Sequence, residues 1–371
     1  MGRPVGKRLI SVTAASLLAS FALVGSAGAV SRRPTCSGTW QIVPSPSPGQ
    51  GASELFAVYS ASPTNAWAVG NSHTGAQVGF PLVEHWDGTS WSTVKVPRVS
   101  PVENVFYAVS GTSSSDVWAA GIEYDTTVGT WKPLVEHWDG TSWSISTTPD
   151  LGLQTYIRGV AAISPTDAWL VGFSGSFPTL TEHWDGTSWT VVPASGGALN
   201  AVTALSSDDV WAVGQSSGSF AVHWDGVSWT SFPAPGTGPL FGAAGLSSAD
   251  VWAVGYTGEL SAQAIADHWD GSQWSESFSN HYPSQSVLSA VAASSPTDVW
   301  AVGNRLNYRS TFRTLIEHFD GAGWSVVPSP NANVRDDLLQ GVAVDSTPGA
   351  WVVGWWTQRH GTGRTLIERY C

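Results

Sequence analysis

Short runs of apolar and alternating residues recur along most of this chain at nearly constant intervals. A run such as Leu288–Ala293 is followed by a serine-, proline- and aspartate-rich turn and then by a second run, Val299–Val302. After a loop of variable length come a third run, Thr314–Phe319, an Asp-Gly turn and a fourth run, Trp324–Val327. Short runs bounded by turn residues predict β-strands, and Asp-Gly between two of them predicts a tight hairpin. Each unit therefore predicts four antiparallel strands.

The unit is repeated seven times. The tryptophan of the phrase Asp-Val-Trp-Ala-Val-Gly, or of a close variant, recurs every 41 to 51 residues, as Trp67, Trp118, Trp169, Trp211, Trp252, Trp300 and Trp351. A second phrase, His-Trp-Asp-Gly-x-x-Trp or a variant of it, follows each of the first six. Four short strands per repeat of this length are typical of a propeller blade. The sequence predicts an all-β fold: a seven-bladed β-propeller of four-stranded antiparallel blades.

The two ends of the repeat region complete one blade. The segment from Cys36 to Trp40 matches the start of a fourth strand, and the chain ends with a third strand, Leu366–Tyr370, followed by Cys371. We expect the N-terminal and C-terminal strands to pair and to close a ring over residues 36–371. Both cysteines take the place of the aspartate in the Asp-Gly turn, so they would face each other. In an exported protein this predicts a Cys36–Cys371 disulfide.

Residues 1–29 have the features of a secretory signal peptide. Basic residues precede an apolar run over residues 9–24, and Ala27-Gly28-Ala29 forms a small-residue cleavage site. Residues 30–35 would then form a short N-terminal segment before the propeller. We therefore expect a secreted, extracellular protein. No later run approaches the length of a membrane span, so membrane insertion is not expected.

Charge and motif content narrow the function classes. The chain has 16 basic and 28 acidic residues, a net charge of −12, and removal of the leader's Arg3, Lys7 and Arg8 makes it −15. Such a charge disfavours binding to nucleic acid or anionic membranes. The sequence has no phosphate loop and no zinc-ligand cluster. We expect a monomer with no cofactor and no metal site.

Most aromatic, histidine and acidic repeat positions are predicted to be scaffold. The two phrases hold 19 of the 22 tryptophans, whose rings we expect to pack blade against blade. The histidines of the second phrase occur once per blade, too far apart to converge on one metal, and should form hydrogen bonds within their blades. Aspartates such as Asp116 and Asp298 are predicted to cap turns. Repeated glutamates such as Glu84 are not candidates for catalysis.

Candidate functional residues lie where the seven copies differ. The connections between second and third strands and between blades vary, and both emerge on one face of a propeller, the variable face. Variable loops on a rigid scaffold are typical of binding sites. The three tryptophans outside the repeat lie in these loops, namely Trp131, Trp355 and Trp356. So do several cations of the last two blades, which could bind an anionic group or pair with Asp336 and Asp337, namely Arg305, Arg309, Arg313 and Arg364.

A second candidate set lies in the innermost strands. Each first strand contains three consecutive positions of different character. In chain order they hold an apolar residue, a variable residue and a small residue. The variable column contains Phe56, Tyr107, Arg158, Asn200, Phe241, Ser289 and Gln340. Because the flanking columns are uniform, we expect these seven side chains to be free of packing and to surround the mouth of the central channel on the variable face. The alternative is a solvated channel wall. Arg158 is expected to be a lone cation near the axis.

The two phrases, as in Asp298–Gly303 and His137–Ser144, resemble those of secreted bacterial β-propeller repeat proteins. The layout is also similar to that of bacterial seven-bladed propeller lectins, over residues 36–371. This resemblance implies glycan binding in pockets between blades or on one face. It does not imply sialidase activity, because the Asp-Gly turn lacks the residue that separates Asp from Gly in the sialidase-type Asp box.

The leading functional hypothesis is a ligand-binding propeller whose partner is a glycan or a cell-surface polymer, including an anionic one. The predicted site is the variable column together with the loop tryptophans and arginines, because stacking rings and an arginine fork suit an acidic sugar. One alternative is a polysaccharide-degrading enzyme, a lyase or glycoside hydrolase, for which His73, Tyr107 and Arg158 are candidates. A second is a protein-interaction scaffold.

Overall fold

Each of the seven repeats forms one four-stranded antiparallel sheet in the computed structural model of the protein. The structure describes residues 38–75, 78–152, 154–175, 178–258, 262–277, 282, 284–345 and 349–371. Within those residues the strands are, in chain order, β1 (Trp40–Ile42), β2 (Ser53–Ser62), β3 (Asn65–Thr74), β4 (Val78–Trp86), β5 (Trp91–Thr93), β6 (Asn104–Ser113), β7 (Asp116–Asp125), β8 (Thr130–Trp138), β9 (Trp143–Ile145), β10 (Thr155–Ser164), β11 (Asp167–Ser174), β12 (Leu180–Trp184), β13 (Trp189–Val191), β14 (Ala198–Ser206), β15 (Asp209–Gln215), β16 (Ser219–Trp224), β17 (Trp229–Pro233), β18 (Leu240–Ser247), β19 (Asp250–Thr257), β20 (Gln263–Trp269), β21 (Trp274–Ser277), β22 (Ser286–Ser295), β23 (Asp298–Leu306), β24 (Phe312–Phe319), β25 (Trp324–Val326), β26 (Asp337–Val344), β27 (Ala350–Thr357) and β28 (Gly363–Tyr370).

The blades form a closed ring. Blade 1 consists of β2 to β5, and each following set of four strands is the next blade, up to β22 to β25 in blade 6. Blade 7 joins β26, β27 and β28 to β1, with Trp40 opposite Tyr370 and Ile42 opposite Glu368. The first strand of every blade contacts the first strand of the next, and β26 contacts β2. The predicted fold and its closure by the two terminal strands are therefore confirmed.

The tryptophans of the two phrases pack between neighbouring blades, as predicted. Trp67 is 1% exposed, and its ring lies 5.0 Å from Trp138 and 5.4 Å from Trp143 of blade 2. At the closing interface the Trp351 ring lies 5.0 Å from Trp86 of blade 1. Aromatic pairs of this geometry contribute about 0.5–1.5 kcal/mol each beyond the area that they bury. The interfaces between blades are thus built largely from these rings.

The histidines of the second phrase bind the aspartates of the first. The histidine Nε2 and the aspartate Oδ1 are within hydrogen-bond distance in five blades: His137–Asp116 (2.6 Å), His183–Asp167 (2.9 Å), His223–Asp209 (2.8 Å), His268–Asp250 (2.9 Å) and His318–Asp298 (2.8 Å). The histidines are structural, as predicted. The second carboxylate oxygen of Asp116 accepts a bond from Thr112, on the other side of the hairpin turn, and Asp298 accepts one from Ser294 in the same way. Backbone caps are formed by the aspartates of the Asp-Gly turns: Asp87 Oδ1 accepts a bond from the backbone N–H of Thr89 (2.8 Å).

The chain ends meet in blade 7. The backbone N–H of Gly38 donates to the carbonyl oxygen of Cys371 (2.6 Å). Cys36, the predicted leader (1–29) and the short segment (30–35) lie outside the described residues, so the disulfide and the signal peptide stay predictions. Among the residues that the structure describes, no helix is long and apolar enough to cross a membrane.

In six blades the same position of the third strand holds a buried carboxyl group. This position lies at the interface with the preceding blade. These residues, each 0% exposed, are Glu84, Glu136, Glu182, Asp267, Glu317 and Glu368, and blade 4 has Val222 at this position. Burial raises the pKa of Glu84 and Glu368 to about 9, and that of Glu136 and Glu182 to about 8. These four groups are therefore protonated in the folded protein at neutral pH. Unfolding exposes them to water, where they ionise.

If Cys36 and Cys371 are bridged, the protein has no reactive thiol. We expect the denatured protein to gain no carbamidomethyl group when it is treated with iodoacetamide without reductant. After reduction it should gain two, and the mass of the intact protein measures both numbers. Labelling of both cysteines before reduction would contradict the bridge.

Replacing Glu84 by valine, the residue that blade 4 has there, should stabilise the protein at alkaline pH. The folded-state pKa lies above the unfolded value, so the folded protein holds a proton that the unfolded chain releases, and stability falls as pH rises from about 4.5 to about 9. We expect Glu84→Val to raise the free energy of unfolding by about 1–3 kcal/mol at pH 8 and by less at pH 5, in urea titrations.

The matched reverse change is Val222→Glu. It should lower the free energy of unfolding, and by more at pH 8 than at pH 5. Equal effects of either substitution at the two pH values would show that the carboxyl does not change its ionisation on folding.

Candidate functional site

The variable residue of each first strand is the extra residue of a β-bulge. In blade 3 the register with the second strand slips between Ile157 and Gly159, which leaves Arg158 without a partner. The same slip occurs at the same position in the other six blades. A bulge leaves one residue unpaired and redirects its side chain. The fold itself thus separates this column from the packed interior. We call its seven residues the axial ring: Phe56, Tyr107, Arg158, Asn200, Phe241, Ser289 and Gln340.

The glycine that ends the first phrase makes room for the bulge. A Cβ at Gly172 would lie 1.9 Å from the carbonyl oxygen of Tyr156, a distance that only glycine avoids. The corresponding glycines of the other blades show distances of 1.9 or 2.0 Å, namely Gly70, Gly121, Gly214, Gly255, Gly303 and Gly354. The repeated glycine is therefore the sequence signal of the bulge.

All seven residues of the axial ring line one cavity at the centre of the propeller. The cavity has a volume of about 830 Å³, which is in the range of small-molecule sites. Two residues after each ring position lies a second layer, the apolar girdle, formed by Val58, Val109, Val160, Val202, Ala243, Val291 and Val342. No described residue further along these strands lines the cavity. The axial cavity thus has a mixed polar and aromatic rim above an aliphatic floor.

Arg158 dominates the electrostatics of the axial cavity. Among the described residues that line it, Arg158 alone is charged, and it forms no ion pair with a described carboxylate. Its guanidinium carbon lies 4.3 Å from the centre of the Tyr107 ring and 5.9 Å from that of Phe173. Burial raises the pKa of Tyr107, and Arg158 opposes that rise. The guanidinium is therefore held by two aromatic rings and by a hydrogen bond with the Tyr107 side chain.

Not every ring side chain is available for a ligand. Asn200 Nδ2 donates to the carbonyl oxygen of Leu240 in the next blade (2.9 Å). The amide of Asn200 therefore also joins two blades.

Trp131 extends the site outward along blades 2 and 3. Its ring centre lies 6.5 Å from that of Tyr156, which stacks on Phe173 at 5.0 Å. Phe173 in turn faces Arg158. At the other side of Arg158 the Tyr107 ring lies 5.6 Å from Phe56. We call these half-buried rings, which form two groups on either side of Arg158, the aromatic track: Tyr124, Trp131, Tyr156, Phe173, Tyr107 and Phe56.

The other two loop tryptophans lie elsewhere. Trp356 packs against the hydrophobic core between blades 6 and 7. Trp355 is half-buried, pairs with Leu338 and Thr365, and does not line the axial cavity. The structure therefore joins only Trp131 to the axial ring.

Two of the predicted arginines are engaged within the protein. Arg313 donates to Asp337 Oδ2 (2.7 Å) and to the carbonyl oxygens of residues 333, 334 and 335 (each 2.7 Å). Arg364 donates to the carbonyl oxygen of Gly49 (2.9 Å). Arg313 therefore follows the alternative of pairing with Asp337, whereas Arg364 binds a backbone carbonyl oxygen and neither predicted aspartate.

The remaining two arginines lie apart from the cavity as well. Arg305 faces the ring of Tyr282 at 5.3 Å, with its Nε buried. Arg309 lies 5.3 Å from the ring of Tyr308, which is 89% exposed. The four arginines therefore do not converge on one anion site.

Besides the apolar girdle, the sequence analysis did not identify a column of polar and aromatic residues, four of which line the cavity. They follow the glycine of the first phrase, and they are Phe173, Gln215, Tyr256 and Asn304. Their column varies from blade to blade as the axial ring does, with Asn71, Ile122 and Trp355 as its other members. Variation directly after a uniform glycine was the signal that could have identified them.

His73, a candidate for catalysis, is bound to a carboxylate outside the cavity. Its Nε2 lies 3.3 Å from Glu103 Oε1, which also accepts a bond from Asn71 Nδ2 (3.4 Å). His73 does not line the axial cavity with Tyr107 and Arg158. Within the described ranges, no group of three or more His, Cys, Asp or Glu side chains could hold a metal ion.

Comparison with known proteins identifies the fold alone. No family model and no curated protein matches the sequence. Among solved structures, the chain is similar to YCF48 bound to D1 peptide, with 17% identity and a TM-score of 0.59 over 90% of this chain and 95% of that one. It is also similar to the RRP9 WD40 repeats, with 10% identity and a TM-score of 0.61 over 90% and 98%. The WD40 propeller domain of Doa1 gives 9% identity and 0.55 over 88% and 96%.

Gly172→Ala should destabilise the blade that carries Arg158. The added methyl meets the Tyr156 carbonyl, so the free energy of unfolding should fall by about 1–3 kcal/mol or more. The control is Gly323→Ala, whose methyl would have no heavy atom within 4 Å and should change stability by less than about 0.5 kcal/mol. Equal midpoints for the two variants in thermal unfolding would contradict the steric role of Gly172.

Proposed function

We propose that this protein is a secreted ligand-binding propeller that holds an extended anionic polymer on its variable face. One anionic group of the ligand binds Arg158 in the axial cavity, and the adjoining units lie on the aromatic track. No catalytic step is proposed. The observation that carries this function is the isolated guanidinium in the cavity.

Arg158 is suited to this role by its surroundings. On a protein with a net charge of −12, it is the single charge on the cavity wall and has no ion-pair partner among the described residues. A guanidinium fork binds carboxylate or sulfate through two parallel hydrogen bonds. Stacking on Tyr107 fixes the plane of the guanidinium, so less conformational freedom is lost on binding.

The aromatic track supports an extended ligand rather than an isolated ion. It continues from the axial ring to Trp131 in steps of 6.5 Å or less between neighbouring groups. Rings in such a row offer stacking faces to successive units of a chain. An acidic glycan meets both requirements, with a uronate or sulfate on Arg158 and neighbouring sugars on the rings.

A polypeptide segment is the second candidate. Its support is the apolar girdle, which suits a hydrophobic side chain, and the similarity in fold to a propeller described as bound to a peptide. In this case the anionic group is a carboxylate of the bound segment.

Arg158→Gln should weaken binding of acidic oligosaccharides or acidic peptides by about tenfold to a hundredfold, because a charge-assisted bidentate contact is lost. The measurement is calorimetric titration of the mature protein, with neutral oligomers of the same length as reference ligands. Raising the salt concentration should weaken wild-type binding as well.

The matched control is Arg309→Gln, which removes an arginine that also stacks on a tyrosine but lies outside the cavity. We expect it to leave affinity unchanged. If Arg309→Gln weakens binding and Arg158→Gln does not, the site lies in the outer loops and the axial proposal is wrong.

A further inference from the structure

We infer that the group entering the axial cavity is a chain end in which a carboxylate is joined directly to an apolar side chain. The occupant is therefore the C-terminus of a polypeptide with an apolar last residue. This inference rests on the proposed function, since it takes Arg158 as the anion-binding group, and it names the ligand class.

The layering of the cavity carries the inference. Arg158 belongs to the rim, and Val160, two residues further along the same strand, belongs to the girdle. Strand residues rise about 3.3 Å each, so the Cα atoms of the two layers are about 7 Å apart along the strand. Between them lie only small residues such as Gly159 and Ala108. A carboxylate on Arg158 would thus have an apolar pocket directly beneath it.

The girdle accepts an apolar group and disfavours a sugar. Six of its seven members are valine and the seventh is alanine, so its side chains offer no donor or acceptor. A hydroxyl placed against these side chains would lose hydrogen bonds to water and would gain none from them, which is costly. A uronate has hydroxyls around its ring, whereas the last residue of a polypeptide has one polar end and one apolar side chain.

The rest of the chain has a route out of the cavity. The aromatic track begins beside Arg158 at Phe173 and leads to Trp131 on the variable face. Polar rim residues such as Gln215, Ser289 and Gln340 are within the same cavity and can bind main-chain groups. With the C-terminal carboxylate on Arg158, the preceding residues would lie along the rings.

The test is calorimetric titration of the mature protein with a panel of short peptides. They share a Ser-Gly-Ser-Gly body and end in Val, Leu, Ile, Met or Phe with a free carboxylate. The reference ligands are the same peptides as C-terminal amides, peptides ending in Ser, and an oligouronate. We expect at least one apolar free-acid peptide to bind, and its amide and Ser-ended counterparts to bind about tenfold or more weakly.

Two variants locate the site. Arg158→Gln should remove the difference in affinity between free-acid and amide peptides. Val160→Thr adds a hydroxyl to the girdle at nearly constant shape, and it should remove the preference for an apolar last residue. Val227→Thr is the control, since Val227 is 84% exposed and outside the cavity. Thermal unfolding checks that each variant is folded, and Val291→Thr replaces Val160→Thr if that variant is not.

Oligouronate binding that depends on Arg158, with no binding by any apolar free-acid peptide, would overturn this inference and leave the proposed function standing. Peptide binding that does not discriminate acid from amide would overturn it as well. If no ligand of the panel binds in an Arg158-dependent way, both the inference and the proposed function are wrong.

Discussion

The convergence of seven strands on one axis is the constraint on which the rest of this molecule depends. Neighbouring first strands approach each other so closely that two positions have no room even for a methyl group: a Cβ at Gly341 would lie 2.8 Å from the Cα of Ala57 in the next blade, and one at Gly242 would lie 2.9 Å from the Cα of Ala290. Each first strand bulges immediately before this crowded position. The bulge redirects one residue per blade into the cavity, so the geometry that closes the ring also creates the candidate site.

The features that repeat with the blades could be predicted from the sequence. Blade number, ring closure and the packing role of the tryptophans follow from periodic signals, since a residue such as Trp67 has the same neighbours in every copy. The axial ring could be predicted for the complementary reason. Arg158 and its six counterparts form a variable column between uniform ones, and a position that varies within a repeat is not fixed by packing.

Features that depend on loop conformation could not be predicted. For the arginines of the last two blades the sequence left two alternatives open, an anion site or pairing with Asp336 and Asp337, because their partners are not periodic. Arg313 is bound by three carbonyl oxygens and by Asp337. Because every residue has a backbone carbonyl, the sequence does not indicate which of them contact an arginine. The same limit applies to the aspartates of the first phrase. Asp116 lies near a turn in the sequence, but the neighbouring strand brings His137 to it.

Stability and binding are assigned to different residues of the same strand. Ile157 and Gly159 flank Arg158: Ile157 is fully buried, and a Cβ at Gly159 would lie 2.9 Å from a methyl of Val171. Both flanking positions are therefore fixed by packing, whereas the bulged residue between them has no strand partner to lose. An exchange of Arg158 should thus change the chemistry of the cavity wall and leave the blade intact, so the axial ring is a part of this propeller that can vary without loss of the fold.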